Sequence, residues 1–132
     1  ASIDPMRFLG IDYGTKRIGL AVSDAEGKFA FPKAILENDG KAIDKIKEII
    51  HEEEVAEMVI GESVDFHGKP NKVAAEIETL ISKLESLNLP VHKQQEFLTS
   101  VEARRLQGSS RKADAAAAAL ILQRYLDKIN LL

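Results

Sequence analysis

The chain has 132 residues, no cysteine, 45% hydrophobic and 30% charged residues, and a formal net charge of −3. That length and composition suit one compact domain and exclude a disordered chain, a disulfide scaffold and a thiolate-held metal. No apolar run approaches the ~20 residues that span a bilayer, and the acidic balance is wrong for a protein that coats nucleic acid through its cations alone.

Any metal must be held by oxygen or imidazole donors, which favours hard cations such as Mg2+ or Mn2+. Ala1–Pro5 precede Met6 and read as an expression scar, leaving residues 6–132 as a single domain. With no signal-peptide pattern, the expectation is a soluble, cytoplasmic protein with no membrane partner. Charge is uneven along the chain. Acid gathers between Glu37 and Glu57, whereas Ala103 to Ala113 carries Arg104, Arg105, Arg111 and Lys112 with no acid.

Arg7 to Asp12 is a short apolar run that reads as a buried strand. Gly14, Thr15 and Lys16 make a turn, Arg17 to Ser23 a second strand, and Asp24 to Lys28 a hairpin turn around Gly27. Phe29 to Leu36 is a third strand, which Pro32 assigns to a sheet edge. A helix over about Gly40 to Glu54 gathers Ile43, Ile46, Ile49 and Ile50 on one face. Val55 to Gly61 is a fourth strand, followed by a loop from Glu62 to Pro70. Val73, Ile77, Leu80, Ile81, Leu84 and Leu87 recur at helical spacing and predict a helix over about Asn71 to Leu87. Leu89 to Gln94 is a fifth strand. Thr99 with Glu102 has capping-box spacing for a short helix, which Gly108, Ser109 and Ser110 end. A last helix runs from about Lys112 to Ile129.

This order predicts an α/β domain and fits the ribonuclease H-like pattern, which unrelated α/β proteins share. Three hairpin strands must be antiparallel, the later strands are parallel, and helices flank the mixed five-stranded sheet.

Asp12 closes the first strand, where a carboxylate is costly unless something positive meets it. A metal ion, or Lys16 and Arg17 beyond the turn, would serve; a turn-capping Asp is the simpler alternative. Asp114 begins a helical stripe of Ala117, Ala118, Ile121, Leu122 and Tyr125, so it is expected to point toward the sheet. The alternative is a first-turn acid that complements the helix dipole. Glu96 follows the fifth strand and Glu62 ends the fourth, and either acid could be a third member. Converging carboxylates of this kind bind one or two Mg2+ or Mn2+ ions and hydrolyse phosphodiesters. His51 and His92 read as surface residues. His67 lies in the loop after the fourth strand, where phosphate contact is the less favoured reading.

Gly10-Ile11-Asp12-Tyr13-Gly14-Thr15-Lys16-Arg17-Ile18-Gly19-Leu20-Ala21-Val22-Ser23-Asp24 resembles the opening signature of the YqgF (RuvX) family. Leu98-Thr99-Ser100-Val101-Glu102-Ala103 is similar to the family's Leu-Thr-x-x-Glu-Ala segment. The run from Lys112 to Gln123 resembles its closing motif. The resemblance covers the chain from Met6 onward. It implies a ribonuclease H-like fold related to RuvC resolvases. It also implies a divalent-metal-dependent nuclease that processes the 5' end of pre-16S rRNA in ribosome biogenesis, with RNA or ribosomal particles as partners.

The family's acids carry over to Asp12, Glu96 and Asp114 as catalytic and metal-binding residues. Lys16, Arg17, Arg104, Arg105, Arg111 and Lys112 would contact the nucleic-acid backbone. Two departures stand out. Gln95-Glu96-Phe97 replaces Asp-Glu-Arg, and Gly61-Glu62-Ser63 replaces Gly-Leu-Pro, which keeps Glu62 open as the alternative third acid. A Holliday-junction resolvase-like endonuclease acting on structured DNA is the other reading. It needs two symmetric cuts and hence a dimer, against a monomer or weak homodimer otherwise. A kinase-like phosphate-binding fragment and a catalytically weak nucleic-acid-binding module complete the alternatives.

Overall fold

The computed structural model describes residues 6–64, 74–97 and 114–131. The expected scar at residues 1–5, His67, the Thr99 helix with its Glu102 cap, and Arg104, Arg105, Arg111 and Lys112 lie outside these residues.

Strands β1 (Arg7–Tyr13), β2 (Arg17–Ser23) and β3 (Ala30–Glu37) are followed by helix α1 (Ala42–Glu52), strand β4 (Val55–Val64), helix α2 (Ala74–Glu85), strand β5 (Val91–Phe97) and helix α3 (Ala115–Ile129). They form one sheet of order β3-β2-β1-β4-β5. The hairpin strands pair antiparallel, and β1, β4 and β5 run parallel, as the helices between them require. Among the described residues no helix is long and apolar enough to cross a membrane.

β1 is central and covered on both faces, hence its nearly unbroken apolar run. Leu9 and Ile11 join Ile18, Leu20, Met58 and Ile60 in a core closed by Ile46 and Ile49 of α1 and by Ile77, Leu80, Ile81 and Leu84 of α2. On the other face Phe8, Ala21 and Val59 meet Ala118, Ile121, Leu122 and Leu126 of α3. α3 touches all five strands.

β3 is an edge strand, as Pro32 predicts, and its register shifts beside Pro32. Two strands are longer than their sequence suggests. β4 continues through Glu62, Ser63 and Val64, and β5 through Gln95, Glu96 and Phe97. These polar tips read as loop, but their backbones pair with each other, Glu62 with Gln95 and Ser63 with Glu96. Glu96 therefore lies within the fifth strand rather than after it.

Candidate active site

Asp12 is 1% exposed and lies near the end of β1. It shares the α3 face with Phe8 and Gly10, because side chains two residues apart in a strand lie on one side. Its Oδ2 accepts a hydrogen bond from the backbone N–H of Asp114, 102 residues later, at 3.2 Å. The carboxylate thus meets the N-terminus of α3, where unpaired N–H groups and the helix dipole favour negative charge.

Asp114 is the N-cap of α3, with extended backbone, and not a residue of its first turn. Its Oδ1 accepts from the Ala117 N–H at 2.6 Å. Helical spacing places its backbone against the sheet, as the apolar stripe implies, but the residue is exposed and the carboxylate turns back to cap the helix. The two acids are neighbours through backbone contact, with one buried and the other open to solvent.

Three glycines bring the helix this close. Gly10, Gly19 and Gly61 all lie beneath α3, and a Cβ on any of them would meet it. Gly19 is directly opposite Asp12 on β2. Gly61 flanks Asp12 on the other side, since Gly10 pairs with Val59 and Ile11 with Ile60.

The two candidate third acids occupy strand positions of opposite parity, Glu62 paired with Gln95 and position 96 with Ser63. Glu62 alternates with Met58 and Ile60 and belongs to the α1–α2 face, away from Asp12. Lys93 lies 3.6 Å from its carboxylate and also pairs with Glu78 of α2. The hydrogen bond that Lys93 donates to Glu78 is the main cause of its raised pKa, which favours its charged ammonium form. Position 96 has the parity of positions 92 and 94, whose side chains meet Tyr125 and Lys128 of α3. Its backbone pairs with Ser63 near the strand ends.

Lys16 and Arg17 are exposed beside this edge, in the turn that follows β1 and at the start of β2. Asn38 clamps that turn: its Nδ2 donates to the Gly14 carbonyl and its N–H to the Lys16 carbonyl, both at 2.9 Å. Tyr13 donates to Glu76 on the far face at 2.9 Å; burial and then Glu76 raise its pKa, which keeps it a neutral donor. His92 is half-buried, not a surface residue. Its ring stacks on Tyr125, and its Nε2 is 2.7 Å from Glu57.

Several motif residues have structural tasks. Burial alone would raise the Asp24 pKa, but hydrogen bonds from the Lys28 and Phe29 N–H groups hold it below the usual carboxylate range. Gln123 ties α3 to the β2–β3 hairpin through the Ala30 N–H and the Lys28 carbonyl. Sequence reading passed over Asn38, Lys93 and Gly19. Only Gly19 carried a usable signal, a glycine inside a strand, which marks a bulge or a close approach of another backbone.

A hard divalent cation suits the donors present, two carboxylates on facing elements at a helix N-terminus. Among the described residues no group of three His, Cys, Asp or Glu side chains gathers.

The sequence pattern of the RuvX family, described as Holliday junction resolvase, matches residues 6–128. A protein of Ruminiclostridium cellulolyticum named as a candidate pre-16S rRNA nuclease is 37% identical, covering 94% of this chain and 96% of its own. One of Dictyoglomus turgidum with the same name is 33% identical, covering 96% and 97%. Among solved structures, RuvC of Thermus thermophilus superposes with a TM-score of 0.61 at 17% identity, covering 95% of this chain and 96% of its own. The same protein in complex with a Holliday junction substrate gives 0.58 at 16% identity.

Proposed function

The chain belongs to the RuvX family, and from that premise we propose that it is a divalent-metal-dependent nuclease that processes pre-16S rRNA. The observation that carries the reading is the meeting of Asp12 and Asp114 at the carboxyl edge of a parallel strand, the place where open α/β sheets take their ligands. Asp12 and Asp114 would hold Mg2+ or Mn2+, with Glu96 as the third acid. Glu62 is disfavoured, because it shares the opposite face with Lys93 and Glu78.

When bound, the cation supplies Lewis-acid activation of water and neutralisation of charge on the phosphodiester. The chain's own residues do the rest. Asp12 is fixed from one side by the Asp114 N–H, so its orientation is set before substrate arrives. Asp114 has its Oδ1 on the Ala117 N–H, which holds one oxygen of this exposed carboxylate at the N-terminus of α3. Lys16 and Arg17, together with Arg104, Arg105, Arg111 and Lys112, supply phosphate contacts that position a backbone without reading its sequence.

The test is Mn2+- or Mg2+-dependent cleavage of a structured RNA that carries the 5' flank of 16S rRNA. Cleavage is expected to disappear in Asp12→Asn and in Asp114→Asn. Unchanged cleavage in both variants would sink the assignment. The family's description favours one second reading, a resolvase acting on four-way DNA junctions. A junction cut faster than the RNA under matched salt would establish it, and binding of both without cleavage would mark a silent binding module.

A further inference from the structure

We propose that Gly19 is a positioning residue whose missing side chain sets the spacing of the Asp12 and Asp114 carboxylates, and through it the affinity for a divalent cation. The proposal rests on the metal-nuclease reading above.

Glycine inside a buried strand weakens it, since it packs nothing and loses much conformational freedom on folding. Gly19 is buried within β2, directly across from Asp12. A Cβ there would lie 2.1 Å from the Asp114 carbonyl oxygen, 2.4 Å from its carbonyl carbon and 3.0 Å from its Cα. All three are backbone atoms, so no rotamer change relieves the clash. Comfortable carbon contacts need roughly 3.5 Å, so the first turn of α3 would have to rise by about 1 Å. The Asp114 N–H already reaches Asp12 Oδ2 at 3.2 Å, and such a rise takes it out of hydrogen-bonding range.

The other two glycines provide the contrast. At Gly61 the obstacle is the Ile121 side chain, with Cδ1 at 2.5 Å, a terminal methyl that can turn aside. At Gly10 a Cβ would meet Leu122 Cβ at 2.7 Å and the Ala118 carbonyl at 2.9 Å. That clash is also rigid, but it falls at least one helical turn away from Asp114. Gly10→Ala therefore strains the packing of α3 without acting directly on the acid pair.

The experiment titrates Mn2+ into the full chain by calorimetry for the parent, Gly19→Ala, Gly10→Ala and Asp12→Asn, beside thermal unfolding and amide hydrogen exchange without metal. Gly19→Ala should weaken Mn2+ binding by roughly 10- to 100-fold, the range seen when groups that orient metal ligands are lost. It should also speed exchange at the Asp114 amide. Gly10→Ala should lose comparable thermal stability with Mn2+ affinity close to the parent. Should Gly19→Ala be unfolded in dilute buffer, the titration is repeated in sucrose, which favours the compact state. Parent-like Mn2+ affinity in Gly19→Ala, or an equal loss in Gly10→Ala, overturns the proposal. A parent whose Mn2+ binding ignores Asp12→Asn overturns the metal reading instead, and exchange at Asp114 then still decides whether Gly19 seats the helix.

Discussion

Asp114 has two separable duties, since one carboxylate caps a helix and is also offered to a cation. Asparagine caps a helix about as well as aspartate, so Asp114→Asn should unfold near the parent's temperature while losing nuclease activity. Alanine removes the cap as well, and Asp114→Ala should lose about 1 kcal/mol of stability in addition. Urea unfolding of the two variants beside the parent checks this. Equal stability of the Asn and Ala forms would mean that the Ala117 N–H contact contributes nothing. Asp12 differs because it is buried. Its carboxylate was legible as an acid that closes an apolar strand, whereas its partner, a backbone N–H from a distant helix, was not. Helical spacing found the stripe below Asp114, yet spacing cannot tell a first-turn residue from an N-cap, because the two differ in one residue's backbone angles.

At the scale of elements, α1 is fastened to the sheet by a small ion network. Glu53, just past α1, receives Arg7 of β1 at 3.0 Å and Lys33 of β3 at 2.8 Å. Lys33 reaches it from the residue that the register shift of β3 leaves between the partners of Leu20 and Ala21. The Lys33 hydrogen bond lowers the Glu53 pKa, outweighing the opposing effect of burial, and the Lys33 and Arg7 charges add to it. A carboxyl whose folded value lies below its unfolded one, ordinarily about 4.3, stabilises the fold above that pH. The contribution disappears as pH falls through the lowered folded value. Glu53→Gln should therefore be less stable than the parent at neutral pH, and the gap should close as both are acidified. Urea midpoints measured across the acid range test it, and a constant gap would remove Glu53 as the titrating group. None of this was legible beforehand, because the partners come from three elements far apart in the chain. The elements themselves were legible where apolar period decides, as in α2. Strand tips built from Glu62-Ser63 and Gln95-Glu96 were not, since their pairing satisfies backbone groups and buries little apolar surface.

For the whole molecule, the sheet topology sorts the acids. Strand register gives Glu62 to the face of α1 and α2 and gives position 96 the opposite parity. A linear reading leaves both acids open, because each closes a strand of the same direction. Charge must be sorted by place in the same way. With a net charge of −3, the chain as a whole repels a polyanion, so binding depends on cations local to the strand ends. Each phosphate neutralised by such a cation releases counterions and steepens the fall of affinity with salt. Using Asp12→Asn to prevent cleavage, Lys16→Ala and Arg17→Ala should each lower the slope of log K against log salt by about one. They should weaken RNAs of different sequence alike, since phosphate contacts carry no base information. Removing Lys47, an exposed cation of α1 that faces away from this edge, should leave the slope unchanged. Equal slopes in all three variants would make Lys16 and Arg17 a solvated surface, and the path of the nucleic acid would then have to lie elsewhere on the α3 face.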